Sequence, residues 1–489
     1  DADMKNQNHL KYAFVMLPVL LAACSGGGGT KQEATQEESA QASAPHEDTS
    51  GSREIVVEEG GSIQAAVNEA KSGDTIIVKP GVYKQSVYID KPNITLRGLR
   101  DGDRWAVLDG ETVKNDGIIA SGHSTVIDGF YVKGYKGNGI MTQGANNFQI
   151  LNNHVEGAFY GIFPQYGRNG LVKGNTVTGS EDAGIYVGMS DNIDVLENVA
   201  YGNVMGLEFE NTRNALMARN HIYGNASGIA LTIVPGLPVK DAYSQVIKDN
   251  KIEKNNIENF APSSSIAAGV PSGVGIIVVG PDDITIENNE IIGNDNVGIL
   301  VTDLLTFGLS NDPKVDPYSD GIKIMKNTWR DNGENLSGML GGMLAAAGRS
   351  GVEILSMGKD RDSCMLPEDG VDALGVDQWT ACDSSMTKAT FETAMIKEGA
   401  EEPVYSAEQK GRLTYLAVCT GCHAYDSVLH GPSVESIKAL YADNPEGLVK
   451  YAAHPVRKRE DFPEMPAQSY LGDDVLKQIA DYILYDLGE

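Results

Sequence analysis

From about residue 54 to about residue 335 the chain is built of short runs in which apolar and polar positions alternate. Gly, Asn or Asp closes each run, and none holds a 3.6-residue period over ten positions. This pattern predicts short β-strands and excludes amphipathic helical repeats. A longer period lies over it. Gly followed by an aliphatic recurs at Gly117-Ile118, Gly139-Ile140, Gly161-Ile162, Gly184-Ile185, Gly206-Leu207, Gly228-Ile229, Gly275-Ile276 and Gly298-Ile299, in steps of 22, 22, 23, 22, 22, 47 and 23 residues. Asn153, Asn175, Asn198 and Asn220 form a second column in phase with it.

Three short strands per 22-residue period predict coils that stack at the interstrand spacing of ~4.8 Å. Ile, Val and Leu then form inward ladders, with Gly and Asn in left-handed turns and Asn amides bonded along the stack. The repeat resembles the right-handed parallel β-helix (pectin-lyase-like) proteins. Ser62 to Ala70, Gly73 to Tyr83 and Ile94 to Gly98 look like that family's capping helix and opening coils. The resemblance covers residues 54–335 and implies about 10–11 coils, a rod on the order of 50 Å long. It specifies fold far more than function.

Breaks in the period mark candidate binding loops. Insertions fall at about Val234 to Gln245, Phe260 to Ser272 and Asp303 to Asp320. The first and third leave the coil at the same point, two coils apart, so they are expected to rise side by side ~10 Å apart. Asp241, Tyr243, Asp282, Asp283 and Asp303 are the candidate groove residues. Lyases and epimerases of similar fold need a base together with a cation that neutralises a uronate. The chain has no Asp-Pro-His motif and no paired-carboxylate motif of the polygalacturonase type. His154 and His221 share a repeat position three coils apart, too far to share a metal.

Charge narrows the partners. With 39 basic and 67 acidic residues, a net charge of −28, the chain does not suit nucleic acid, and its acidity also counts against an anionic-glycan lyase. At the N-terminus, the apolar run Ala13 to Ala23 is too short to span a bilayer but fits a signal-peptide core. Leu21-Ala22-Ala23-Cys24 resembles a bacterial lipoprotein signal, which implies lipidation of Cys24, and Ser25 implies outer-membrane delivery. Residues 1–24 are thus read as the signal peptide. Residues 25–53, poor in large apolar groups, read as a flexible acidic linker.

The repeat ends near Leu336. Residues 336–404 read as a capping or linker segment, in which Cys364 and Cys382 are expected to pair as a disulfide in an oxidising compartment. Cys419-Thr-Gly-Cys-His423 follows. Two thiols at this spacing can add to the two vinyl groups of one haem while the next imidazole binds iron. Neither a thioredoxin-like context nor a second zinc ligand pair accompanies the motif. Tyr405 to Ala417 and Asp473 to Leu487 are predicted helices on either side of it.

Residues 405–489 resemble small class I mono-haem cytochromes c. The resemblance implies an all-α domain with one covalent haem c attached at Cys419 and Cys422, and His423 and Met465 as iron ligands. It also implies that Gly431-Pro432-Ser433 supports His423 through a backbone carbonyl. His430 and His454 are rival sixth ligands. Arg457-Lys458-Arg459 is a candidate docking patch for an acidic redox partner.

The expected protein is mainly β, with a parallel β-helix followed by a small all-α cytochrome c domain. It is expected in the periplasm or at the cell surface, held to the membrane only by a lipid, and passing electrons to a redox partner. One alternative is a carbohydrate-active β-helix that binds or transforms a polysaccharide, with the cytochrome as electron acceptor. Another is a periplasmic metal-delivery scaffold. Enzymatic activity is left open.

Overall fold

The computed structural model describes residues 52–383 and 406–487, apart from 264, 310–311, 360, 367, 369, 421–422, 424, 426–430 and 459–464. The described chain winds through three parallel sheets. The first has 13 strands, from Glu54–Val57 to Thr380–Ala381. The second has 11, one of them a short antiparallel flap at Arg100–Asp101, and the third also has 11, from Val87–Ile89 to Ala373–Leu374. Each coil contributes one strand to each sheet, and equivalent residues stack. Ile140, Ile162, Ile185, Leu207, Ile229, Ile276, Ile299 and Ile354 are consecutive partners in the third sheet. All eight are fully buried, and each buried aliphatic contributes roughly 1.5–3 kcal/mol. Helix α1 (Ile63–Glu69), capped by the Ser62 hydroxyl, buries Ile63 and Val67 at the start of this core.

The Asn column forms a continuous amide ladder. Along Asn153, Asn175, Asn198, Asn220, Asn250, Asn289 and Asn327, each residue donates its backbone N–H and its side-chain amide to Oδ1 of the next, at 2.9–3.0 Å. A second ladder runs through Asn203, Asn225, Asn255, Asn294 and Asn332. The turn before the first ladder is left-handed in every coil, and Glu197, Arg219, Asp249 and Lys326 adopt it as well as Asn and Gly.

The Gly column has a different cause from the expected one. From Gly139 on these glycines lie within strands, where stacking is too close for a side chain. A Cβ on Gly161 would lie 2.3 Å from Val177 Cγ1 and 2.4 Å from the Gly184 carbonyl oxygen.

The coils also run beyond residue 335, where the sequence predicts only a capping or linker segment. Ile354–Ser356, Cys364–Met365, Ala373–Leu374 and Thr380–Ala381 extend the first and third sheets. The coil is interrupted by helix α3 (Gly338–Ala346), an insertion like the shorter α2 (Leu304–Phe307). Neither the Gly-Ile pair nor the ladder Asn recurs after it, so the period is lost from the sequence while the stacking continues. Cys364 and Cys382 form a disulfide beside the last strands of the first sheet.

Among the described residues after 405, regular structure is helical: α4 (Ala407–Val418), α5 (Val434–Tyr441), α6 (Pro445–Ala453) and α7 (Asp473–Asp481), the last continuing into a wider turn at Tyr482–Asp486. Ser406 and Gln409 form a reciprocal capping box at the start of α4. Helices α4 and α7 cross at Gly411, where a Cβ would lie 2.3 Å from the Gln478 carbonyl oxygen.

These helices share an apolar cluster with the outer face of the third sheet. Tyr415, Val418, Leu476 and Ile479 join Tyr88, Ile119, Met141 and Phe163. Tyr470 Oη donates to Asp116 Oδ2 at 3.1 Å across the contact. Asp116 is fully buried, and it also accepts from the Asn115 amide and from the Asn138 amide and backbone N–H.

Candidate functional site

The cysteine-histidine motif begins at Cys419, the C-cap of α4. The Cys419 N–H donates to the Tyr415 carbonyl at 2.8 Å and the His423 N–H to the Cys419 carbonyl at 3.0 Å. Cys419 is half-buried. Cys422 lies outside the described residues, as do Cys24 and His430.

The imidazole of His423 is fixed from behind. Its Nδ1 is 2.8 Å from the Pro432 carbonyl oxygen, and since a carbonyl only accepts, Nδ1 carries the proton. Nε2, on the opposite side of the ring, then holds the lone pair that a metal needs. Gly431 permits this approach, because a Cβ there would lie 2.3 Å from the ring Cε1. Burial pushes the His423 pKa down, against a smaller raising effect of the Pro432 hydrogen bond, so the neutral ligand form is favoured. These residues fit a haem iron on the Nε2 side.

Met465 is half-buried in the stretch between α6 and α7, followed by Pro466, whose carbonyl accepts from the Gln468 amide at 3.0 Å. His454 is exposed at the end of α6. Lys458 Nζ lies 4.3 Å from the Tyr451 ring centroid and donates to Tyr441 Oη at 3.0 Å, so this part of the basic run is packed against the helices. Arg459 lies outside the described residues.

The candidate groove on the β-helix is only partly assembled. The first and third insertions do meet, since Asp312 Oδ2 pairs with Lys240 Nζ at 2.5 Å and accepts from the Gly236 N–H at 3.2 Å. Tyr243 and Asp282 are direct strand partners. Asp241 lies 3.8 Å from the Arg213 guanidinium, and Asp283 the same distance from Lys323. Asp282 accepts from the Asp320 N–H, and burial pushes its pKa up to about 6. Asp303 does not line a groove. It is buried, caps α2 by accepting from the Thr306 N–H at 2.6 Å, and accepts from the Lys359 N–H at 2.7 Å. The α2 cap and the Lys359 N–H, from 56 residues further on, hold its carboxylate inward.

A different acidic cluster lies on the outer face of the third sheet. Glu208 and Glu210 point outward from the strand Met205–Glu210, with Asp182 in the turn before Ala183–Gly188. Tyr186 Oη donates to Glu210, Thr232 Oγ1 to Glu208 at 3.0 Å and Ser265 Oγ to Asp182 at 3.4 Å. Burial raises all three carboxyl pKa values, and mutual repulsion adds to the rise at Asp182 and Glu208. The alternation Leu207-Glu-Phe-Glu210 already places both Glu on one face. Ser265, the partner of Asp182, comes from the second insertion. Among the described residues no group of three or more His, Cys, Asp and Glu is arranged to hold a metal ion.

Comparison with known proteins bears on the β-helix. A family model described as periplasmic copper-binding protein (NosD) matches residues 67–262, and one described as right handed beta helix region matches residues 235–355. No match was found among curated proteins. Among solved structures, the chain is similar to the mannuronan C-5 epimerase AlgE6 A-module of Azotobacter vinelandii, at 15% identity over 66% of this chain and 87% of that one, with a TM-score of 0.42. It is also similar to the periplasmic alginate epimerase AlgG, at 15% identity over 66% and 75%, with a TM-score of 0.32. A third is DFA-IIIase of Arthrobacter chlorophenolicus A6 without its lid, at 11% identity over 64% and 92%, with a TM-score of 0.40. The matched repeat model and the three stacked parallel sheets together identify the larger part of this chain as a right-handed parallel β-helix.

Proposed function

We propose that the chain is an exported electron-transfer protein in which a mono-haem c-type cytochrome module, residues 405–489, is carried on the β-helix. The observation that carries this reading is the His423 imidazole, held through Nδ1 by the Pro432 carbonyl, with its N–H bonded to the Cys419 carbonyl. A haem bound there supplies one-electron transfer, at a higher potential with His and Met ligands than with two His. Cys419 and Cys422 have the sequence spacing to anchor such a group. The Pro432 carbonyl fixes the tautomer and orientation of His423, and the close contact at Gly431 limits ring rotation. Half-buried Met465 is a better sixth ligand than exposed His454.

Packing of α4, α7 and the Tyr470 hydroxyl against the third sheet holds the module on a rigid support. The β-helix then positions the electron-transfer site against a redox partner protein. Lipidation at Cys24 with residues 25–53 as a tether, and a place in the periplasm or at the outer membrane, complete the reading. The periplasmic description of the matched family supports export, and no described helix is long and apolar enough to cross a membrane.

Replacing Met465 with Ala tests the ligand set. The thioether-to-iron charge-transfer band is expected to disappear and the midpoint potential to fall. An unchanged spectrum in that variant contradicts Met465 as ligand.

A second reading, metal delivery, rests on the copper-binding description of the family that matches residues 67–262. Stoichiometric copper in the purified protein favours it.

A further inference from the structure

The two segments that carry His423 and Met465 are seated on one face of the β-helix. Helix α4, which leads into Cys419 and His423, packs on the strand Asn138–Gln143 of the third sheet, and its Tyr415 and Val418 join the apolar cluster there. The stretch that follows Met465 reaches the same face. Its turn Ser469–Leu471 packs against the strand Val87–Ile89, and Leu471 is buried in the same cluster. The Leu471 N–H donates to the Gln468 carbonyl at 3.1 Å, and the Gln468 N–H to the Ala452 carbonyl of α6 at 2.9 Å. The Gln468 amide donates to the Pro466 carbonyl at 3.0 Å. Hydrogen bonds therefore run from this turn back to the residue next to Met465.

Asp116 is the fixed end of this attachment. It stands one residue before the first glycine of the repeated column, a position that the next coils fill with Asn138, Tyr160, Ala183, Met205 and Ser227. Stacking of the coils therefore does not require a carboxylate there. The side chain is fully buried and accepts from the Asn115 amide at 2.8 Å, from the Asn138 amide at 2.7 Å and N–H at 3.1 Å, and from Tyr470 Oη at 3.1 Å. Burial pushes the Asp116 pKa up, and these four bonds oppose the rise. Burial and the nearby Asp116 push the Tyr470 pKa up in turn, so the phenol keeps its proton and donates. Three of the four donors belong to the β-helix, and Tyr470 alone comes from the helical module.

We infer that the β-helix is a working part of the redox centre: the Tyr470–Asp116 hydrogen bond positions the Met465 segment on the third sheet and so keeps the thioether at the iron. The inference rests on the electron-transfer reading and assigns Tyr470 and Asp116 as positioning residues within it. An outer partner that fixes the segment bearing a metal ligand strengthens the ligand's hold, because the ligand cannot leave without breaking that partner's contacts. His423 and Met465 stand on separate segments with α5 and α6 between them. Both segments touch neighbouring strands of one stacked sheet, so their separation is set by that sheet as well as by the helices.

Imidazole titration of the full-length ferric protein, followed by loss of the thioether-to-iron charge-transfer band, tests it. A hydrogen bond to a charged group is worth about a factor of ten in an equilibrium constant. Tyr470→Phe and Asp116→Asn are therefore each expected to raise the imidazole affinity by about tenfold, with the covalent haem content unchanged. The double variant should match the larger single effect, because both substitutions remove one bond. Tyr131→Phe, which removes a hydroxyl bonded to Glu156 on the second sheet, should titrate as the parent does. Hydrogen exchange at the Gln468 and Leu471 amides should be about tenfold faster in Tyr470→Phe. A contact that only supports the fold lowers the melting temperature and leaves the imidazole affinity alone. A parent with covalent haem and the thioether band whose Tyr470→Phe and Asp116→Asn variants titrate within about twofold of it overturns the inference and leaves the electron-transfer reading standing, as does an equal shift in Tyr131→Phe. A parent without covalent haem overturns both.

Discussion

Asn198→Ala offers a quantitative test of how the β-helix holds together. The Asn198 side chain donates to the Val172 carbonyl at 3.0 Å and to Asn220 Oδ1 at 3.0 Å, and it accepts from the Asn175 N–H at 2.9 Å and the Asn175 amide at 3.0 Å. At about 1 kcal/mol for each buried hydrogen bond, the four contribute about 4 kcal/mol. Alanine also strands the Asn175 backbone N–H in the interior, so this figure is toward the low end. In urea, with a slope of about 3 kcal/mol/M or more for a chain of this size, the unfolding midpoint should fall by about 1 M, measured by far-ultraviolet circular dichroism. Asn335→Ala, at an exposed amide, should shift stability by less than about 0.5 kcal/mol. An Asn198→Ala midpoint equal to that of the parent refutes the idea that the ladder amides stabilise the stack.

Other expectations follow from the same geometry. Gly206→Ala places a Cβ 2.4 Å from Ile222 Cγ2 and 2.8 Å from the Gly228 carbonyl oxygen, and should destabilise by about 1–3 kcal/mol or more in the same urea assay. Burial raises Glu353 to about 7 and Asp282 to about 6, and it also raises Asp182, Glu208 and Glu210. Because these folded-state values lie above the unfolded ones, the folded protein retains protons that the unfolded chain releases. Their contribution is therefore most favourable below about pH 4 and is lost as pH rises to about 7. The melting temperature should fall between pH 5 and pH 8, and Glu353→Gln should reduce that slope; a slope unaffected by the substitution contradicts the assignment.

Much of the stack was legible because its causes are local and repeated. A 22-residue period needs only Ile, Gly and Asn at fixed offsets, and each marks a position where a neighbouring coil tolerates little else. The reason for the glycines was less legible, since a close approach of strands and a left-handed turn both select Gly. Extension of the coils to Ala381 was hidden by α3, which interrupts the spacing without ending the sheets.

Legibility at the candidate sites follows the same division. Cys419 and His423 stand out because their chemistry depends on near neighbours in sequence. The burial of Asp303, the contact between Tyr470 and Asp116, and the burial of Glu208 depend on partners tens to hundreds of residues away. Alternation alone marks Glu208 and Glu210 as outward-facing. It carries no sign that other segments pack over them.

The electron-transfer reading stands on covalent haem at the cysteine-histidine motif. The direct measurement is haem retention on a denaturing gel, by peroxidase stain and by pyridine haemochrome spectrum, after expression in a cell competent for cytochrome c maturation. The parent protein should carry one haem per chain that survives denaturation, and Cys419→Ala/Cys422→Ala should carry none. A parent chain without haem, or haem that survives denaturation in the double variant, contradicts the account.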